Sequence, residues 1–447
     1  MNKYCLIANY HLTPLQIKLA KSLERLNISV CWIVVNERLY SLIHNSGWAS
    51  CDILYLSLPS SNSFKTFTEA PLKFNDLLIA DRALRHDVKI GIAYLHTIAD
   101  KINNFLKDQK PNFIFGEITW AHERITAALC KFHGDKTYLS PHTVRFPAGR
   151  WGFFIGEDQT DLYISQHKNN QVITNDSLEV VQPAYVKRND ELIKHARTLR
   201  ARISRIRRFL TRENISSGDP THIQSRAATL KIAGAEEINR VLYRFVNRTE
   251  ISPEMLARPF VLYALHKQPE SSIDVLGRYY EDQLSIIRAV WRTLPAGWFL
   301  YIKEHSNAIG DRSMSFYRKV QKLPNTYLVS EKAPAANLIK ASKAVFTITG
   351  SIAYEAALMG KPSFTFAPMF FNRFKFCKEI TINSLRNCTD LRELIALENT
   401  RAIEDPEKYV FSHSFEGVFT DVFTDPNVMQ NENMEKLTEA FLNLNRN

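Results

Sequence analysis

Glycine and proline are scarce in this chain, 15 and 18 of 447 residues, and no tract or internal repeat collects them. That excludes fibrous, low-complexity and disordered classes and fits a well-packed globular protein. Cysteine is sparse and dispersed. Cys5, Cys31, Cys51, Cys130, Cys377 and Cys388 form no CxxC pair, and several sit inside apolar runs such as SVCWIVV. Buried, reduced thiols are expected, and a zinc site is not. No apolar stretch approaches the ~18–20 residues of a membrane span. The opening MNKYCLIANYHLTPLQ has too short an apolar core for an export signal and reads as a first strand, which makes the cytoplasm the expected compartment.

Several chemical signatures are missing as well. No GxGxxG follows a strand pattern, and Walker A, GxSxG and DxD sequences are absent; His122-Glu123 lacks the second histidine of HExxH. Dinucleotide dehydrogenases, P-loop enzymes, α/β-hydrolases and zinc peptidases are therefore disfavoured.

What is present is size, charge and alternation. The length suggests two domains of roughly 200 residues each. A formal charge of +11 favours acidic partners: nucleic acid, anionic lipid, or phosphorylated and carboxylated substrates. From residue 3 the pattern runs strand, helix, strand (KYCLIANY, TPLQIKLAKSLERL, ISVCWIVV), and further alternation follows through DILYL, NFIFGE and KTYL. From residue 260 a second and cleaner alternating series begins with FVLYALH and continues through WFLYIKEH, TYLVS, AVFTIT and SFTF. Strands alternating with helices at this spacing imply parallel sheets with helices on both faces, hence an α/β fold. The ligand of such a sheet lies beyond the carboxyl ends of its strands, where Gly116-Glu117 falls.

Between the two series lies KHARTLRARISRIRRFLTR, with Arg197, Arg200, Arg202, Arg205, Arg207, Arg208 and Arg212 interleaved by Leu199, Ile203, Ile206 and Leu210. This reads as an amphipathic basic helix, either a solvated element between domains or one that lies on an anionic membrane surface. No nucleic-acid-binding motif accompanies it, and a nucleic-acid partner is not expected. The tail from Met434 reads as a helix that packs back on the other domain.

Three strand ends of the second series carry polar residues: ALHKQPESS, YIKEHSN and TITGSIAYE. In a parallel sheet these ends share one edge, so His266, Gln268, Glu270, Lys303, His305, Thr349, Gly350, Ser351 and Glu355 are expected to converge. The two histidines and the lysine are candidate phosphate donors, as is Ser351 with the free N–H groups of its helix. Glu355 is a candidate acceptor for ribose hydroxyls. The plain alternatives stay open: Ser351 as an ordinary N-cap, Glu355 as a surface residue, and each histidine as a structural one.

The stretch from LHKQPESS through YYEDQ, LPAGWFLYIKEHSN, FYRKVQKLPNTYLVS and LIKASKAVFTITGSIAYEAALMGKP resembles the bacterial capsule polysaccharide biosynthesis family, over residues 261–368. That family includes transferases of 3-deoxy-manno-octulosonic acid (Kdo) from CMP-Kdo. SPHTVRFPAGR and Gly116-Glu117 match it more loosely. The resemblance implies a GT-B glycosyltransferase: two Rossmann-like domains with parallel sheets facing a central cleft. It places the acceptor domain at 1–190, a basic helical linker at 191–257, the nucleotide-sugar domain at 258–425 and a closing helix at 426–447. Related CMP-sugar enzymes carry a His-Pro dipeptide on the donor phosphate; here the matching pair is His305-Ser306, with serine in place of proline. Thr349 and Ser351 match the hydroxyl contacts to that phosphate, and Gln268, Pro269 and Glu270 the donor rim.

The implied chemistry is transfer of a sugar acid, Kdo from CMP-Kdo, to a lipid-linked or oligosaccharide acceptor, with retention of configuration and without an essential metal or other cofactor. His305, with Lys303, would stabilise the departing phosphate, and Glu117 would be the nucleophile, with Glu123 second and a helix-capping role for Glu117 as the plain alternative. His142, Arg145 and Arg150 are candidates for holding a donor or acceptor carboxylate. The site implied is cytoplasmic and peripheral to the inner membrane face. Rival expectations are a CMP-sialic acid or UDP-sugar transferase, a UDP-sugar epimerase, and a non-catalytic binding subunit of the assembly machinery.

Overall fold

The computed structural model describes residues 2–163 and 218–445, and between them only Arg188, Thr198, Arg200, Ser204 and Arg207. The expected basic helix over 197–212 thus lies outside the described residues, save for four isolated positions. The chain divides into two compact units, residues 1–225 with 407–447, and residues 226–406. Residues 226–257 thereby belong with the second unit and 407–425 with the first, whereas the sequence suggested a second domain at 258–425.

The first unit is built on β1 (Lys3–Ile7), β2 (Ser29–Val34), β3 (Ile53–Tyr55), β4 (Phe113–Phe115), β5 (Thr137–Thr143), β6 (Arg150–Ile155) and, from the chain's end, β13 (Phe415–Glu416). Their order in the sheet is β13-β6-β5-β4-β1-β2-β3. Strands β1 to β5 run parallel, and β1 and β2 are buried along almost their whole length, as strands covered on both faces must be. The helix Asn431–Leu442 returns to this sheet and sets Met434, Leu437, Ala440 and Phe441 among Leu15, Leu19 and Leu23 of the helix Thr13–Glu24. The Tyr4 hydroxyl donates to the Phe441 carbonyl at 2.8 Å.

The strand begun by KTYL is longer than that run: β5 goes on to Thr143 and pairs antiparallel with β6, Pro141 opposite Phe153. The proline is tolerated because β4 pairs with β5 only as far as Leu139, so Pro141 has a strand on one side only. His142 therefore lies within β5, Arg150 opens β6, and Arg145 sits in the turn between them with φ of 69°. The cysteines are all unbonded thiols; Cys5, Cys31, Cys130 and Cys377 are buried as expected, whereas Cys51 is exposed and Cys388 half-buried because both lie in connections rather than strands.

The second unit carries β7 (Phe260–Ala264), β8 (Phe299–Lys303), β9 (Thr326–Val329), β10 (Ala344–Thr347), β11 (Ser363–Thr365) and β12 (Cys377–Glu379). All are parallel, in the order β12-β11-β10-β7-β8-β9. Alternation along the strands splits the core in two. Val261, Tyr263, Leu300, Ile302 and Phe346 face one layer of helices, and Phe260, Leu262, Tyr301 and Val345 face the other. The fold is α/β, and two doubly wound units of this kind are the composition of the GT-B class.

Candidate functional site

In a doubly wound sheet the chain reverses its direction of strand addition at one point, and the two strands flanking that point leave a crevice at their carboxyl ends. In the second unit the point lies between β7, from which the chain moves to β8, and β10, from which it moves to β11. Beyond β7 comes His266; beyond β10 comes Ile348-Thr349-Gly350 and the helix Ser351–Leu358. His266 bridges them. Its Nε2 lies 3.2 Å from the Ile348 N–H nitrogen, 3.1 Å from that of Thr349 and 2.9 Å from Thr347 Oγ1. Amides only donate, so Nε2 is the unprotonated nitrogen and the ring is neutral. Burial, then the nearby His305 and Arg312, push its pKa down to about 3. His266 therefore accepts hydrogen bonds inside the protein at this nitrogen and fixes the turn, and its proton sits on Nδ1.

The turn so fixed ends in an uncapped helix. Gly350 has no side chain to offer, and no acceptor among the described residues takes the N–H groups of Gly350, Ser351 and Ile352. A side chain at Gly350 would not fit: a Cβ there would stand 2.6 Å from Thr347 Oγ1 and 3.4 Å from His266 Cε1. Three open donors at the positive end of a helix dipole are a seat for an anion. Thr349 Oγ1 is turned away, donating to the Ser272 carbonyl at 2.8 Å. That bond ties the turn to the loop after β7, where Gln268 Nε2 donates to Asp274 Oδ1 at 3.2 Å and the Glu270 N–H to Asp274 Oδ2 at 3.0 Å. Glu355 is buried one turn into the helix.

His305 follows β8. Its ring is open to solvent, its Nδ1 accepts from the Asn307 N–H at 3.2 Å, and surrounding protein holds its pKa below the ordinary imidazole value, with Glu270 opposing the shift. Lys303 points elsewhere: its ammonium donates to the Glu331 carbonyl at 2.9 Å. Of the three expected cationic donors, Lys303 is thus committed to the protein, and His305 keeps an exposed ring at this edge.

The residue between them was not singled out from sequence. Glu304 is fully buried and accepts from Arg312 Nη1 at 2.7 Å, from the Tyr317 hydroxyl at 2.8 Å and from the His305 N–H at 2.8 Å. Arg312 also donates to the His266 carbonyl. One buried ion pair therefore fixes the backbone of both histidines. The only sequence signal was an acid wedged between Lys303 and His305 at a strand end; Arg312 and Tyr317 carry none, because only the fold brings them there.

The first unit repeats the arrangement with different chemistry. Its reversal lies between β1 and β4, and there Asn9 Nδ2 donates to Glu117 Oε2 at 2.6 Å. Burial raises the Glu117 pKa, and the Asn9 bond opposes the rise. Gly116 beside it is forced, since a Cβ would stand 2.4 Å from the Tyr138 hydroxyl and 3.0 Å from Ile7 Cδ1. Glu123 is committed to its own helix, accepting from the Thr119 and Trp120 N–H groups at 2.9 and 3.0 Å. The basic candidates diverge as well. Arg150 is buried, its guanidinium spent on the Ser414 hydroxyl and carbonyl and on the Phe411 carbonyl, and His142 Nδ1 lies 3.0 Å from the Thr143 carbonyl. Asn9 and the guanidinium of Arg82, stacked 4.5 Å over Trp120, were not anticipated.

No family model matches this chain, and no curated protein does. Among solved structures it is similar to KpsC of Thermosulfurimonas dismutans, a β-Kdo 2,7-transferase, with 11% identity over 77% of this chain and 89% of that one and a TM-score of 0.36. It is similar also to the UDP-GlcNAc 2-epimerase of Methanocaldococcus jannaschii, with 12% identity over 87% and 92% of the two chains and a TM-score of 0.25. A glycosyltransferase of Rickettsia africae matches at 10% identity, over 99% and 93%, with a TM-score of 0.25. Similarity this slight carries no inference about substrate.

Proposed function

We propose that this protein is a glycosyltransferase of bacterial surface polysaccharide assembly that takes a sugar acid, Kdo, from CMP-Kdo and passes it to a lipid-linked or oligosaccharide acceptor at the cytoplasmic face of the membrane. The observation that carries the reading is the uncapped helix at residues 350–352, set at the strand reversal of the second unit, with the exposed His305 at the end of β8, two strands from β10 on the same sheet edge. Three N–H donors and one imidazole suit a phosphodiester with a single negative charge. The family resemblance over residues 261–368 supplies the nucleotide and the sugar.

In this reading the N–H groups of Gly350, Ser351 and Ile352 bind the CMP phosphate, and His305 stabilises the charge that gathers on it as the bond to the sugar breaks. A preorganised donor of this kind is worth ~3–4 kcal/mol. Departure of a nucleoside monophosphate calls for less countercharge than a diphosphate does. Glu117 is assigned to the anomeric carbon: its ionised oxygen forms a bond there as the phosphate oxygen leaves, and the acceptor hydroxyl then displaces Glu117 and loses its proton to solvent.

Calorimetric titration with CMP and with UDP tests the nucleotide. The expected result is micromolar CMP binding, weak UDP binding, and loss of roughly tenfold or more in CMP affinity for His305→Ala. Preference for UDP would overturn the donor assignment. Turnover with CMP-Kdo tests the carboxylate: Glu117→Gln should bind CMP like the parent and lose at least about a thousandfold in kcat. An active Glu117→Gln would remove Glu117 from the mechanism.

A further inference from the structure

The helix Arg226–Tyr243 wears its apolar residues on the side away from the protein. Its inner face is committed: the Glu236 carbonyl and the Arg240 Cβ crowd Gly310 closely enough that a methyl group there would stand 2.9 and 3.3 Å away, and the Tyr243 ring packs on Tyr317 at 5.2 Å between centroids. The opposite face carries exposed apolar side chains among the described residues. Leu230, Ile238, Val241 and, in the turn that follows, Phe245 are 58%, 62%, 51% and 76% exposed. With Gly234 they follow one another at spacings of four, four, three and four residues, which gathers them into one stripe. Scattered exposed apolar residues are ordinary; a stripe of them along four turns of helix marks a surface that is covered in use.

Charge identifies the cover. Arg226, Lys231 and Arg244 are exposed beside the stripe, whereas the acids of the helix lie less open and Glu237 is paired with Arg240. A second copy seated on the stripe would bring three cations against three cations. A leaflet containing anionic lipid receives both the apolar side chains and the cations, and an excess of 11 positive charges over the whole chain acts in the same sense. We propose that this helix lies in the plane of an anionic membrane surface, with Leu230, Ile238, Val241 and Phe245 at the acyl boundary and Arg226, Lys231 and Arg244 among the headgroups. The proposal does not depend on the donor or on any turnover, and its test reads binding alone.

The full chain is sedimented with vesicles of phosphatidylcholine, with and without about one third phosphatidylglycerol, at low and high salt. Binding to the anionic vesicles is expected, weakened by salt. Replacing Arg226, Lys231 and Arg244 together by Gln should lower the partition coefficient roughly 100-fold at low salt. The pair Leu230→Ser and Ile238→Ser should lower it at least about tenfold, and because all these side chains are exposed, thermal melting should not move. Three results would overturn the proposal: no binding to either vesicle, variants that bind like the parent, or a concentration-dependent dimer that Ile238→Glu dissolves, which would make a second copy the cover.

Discussion

The imidazole of His266 holds the turn at residues 347–349 only while its Nε2 carries no proton, so acid attacks the second unit at this residue. Its pKa is pushed down to about 3 by burial and by the positive neighbours His305 and Arg312, against ~6.5 in an unfolded chain. Above ~6.5 the ring is neutral in both states and its contribution to stability is complete. As pH falls below that, the unfolded chain takes up a proton that the folded one refuses, and stability is lost until the folded ring itself titrates. The loss is on the order of 5 kcal/mol across the whole window and about 2 kcal/mol by pH 5. His266→Gln keeps an acceptor but does not titrate. It should be less stable than the parent at pH 7.5 and lose less of its urea midpoint between pH 7.5 and pH 5. Parallel losses in the two proteins would show that His266 is not the group responsible.

At the scale of elements, the helix Asn431–Leu442 is far in sequence from the sheet it completes. Phe441 is fully buried against Phe115, Phe153 and Trp151 at ring separations of 4.7, 4.9 and 5.9 Å, and its carbonyl accepts from Tyr4. Phe441→Ala leaves a ring-sized void that this packing cannot close, and should cost ~3–5 kcal/mol of first-unit stability in denaturant unfolding. A change below ~1 kcal/mol would mean that the helix is only loosely held. That this tail would be helical was legible from its apolar spacing, as were the parallel strands β1 to β4 and β7 to β11, because strands buried on both faces write continuous apolar runs. The antiparallel β6 and the two-residue β13 were not legible. Pro141 inside β5 and Pro147 in the turn after it break the apolar pattern that would announce β6, and β13 is too short to carry a period. The site divides the same way. Strand ends with polar residues pointed to His266, His305 and residues 349–351, but Glu304 with Arg312 and Asn9 with Glu117 are pairs made by topology, and no local pattern announces a partner 8 or 108 residues away.

For the molecule as a whole, the decisive feature is that one unit is continuous and the other is not. Residues 226–406 form the second unit without interruption, and its two core layers draw only on residues between Tyr243 and Ile395. The first unit needs both ends of the chain, since its core joins residues 4–153 to Val428, Met434, Leu437, Ala440, Phe441 and Leu444. A core of its own and a length of about 180 residues are what an independently folding domain requires. Residues 226–406 expressed alone should therefore unfold cooperatively. Because the uncapped helix, His266 and His305 all lie within them, they should also bind CMP with an affinity within about threefold of the full chain's. Residues 1–225 alone should not reach a cooperative fold, because removal of the closing helix uncovers Leu15, Leu19 and Phe115. Circular dichroism and calorimetry on the two fragments separate the claims. A folded 226–406 that binds no CMP, beside a full chain that does, would mean that the nucleotide site needs residues of the first unit. A 226–406 fragment without a cooperative transition would mean that its two core layers are not enough to hold the strand ends on which the anion seat is built.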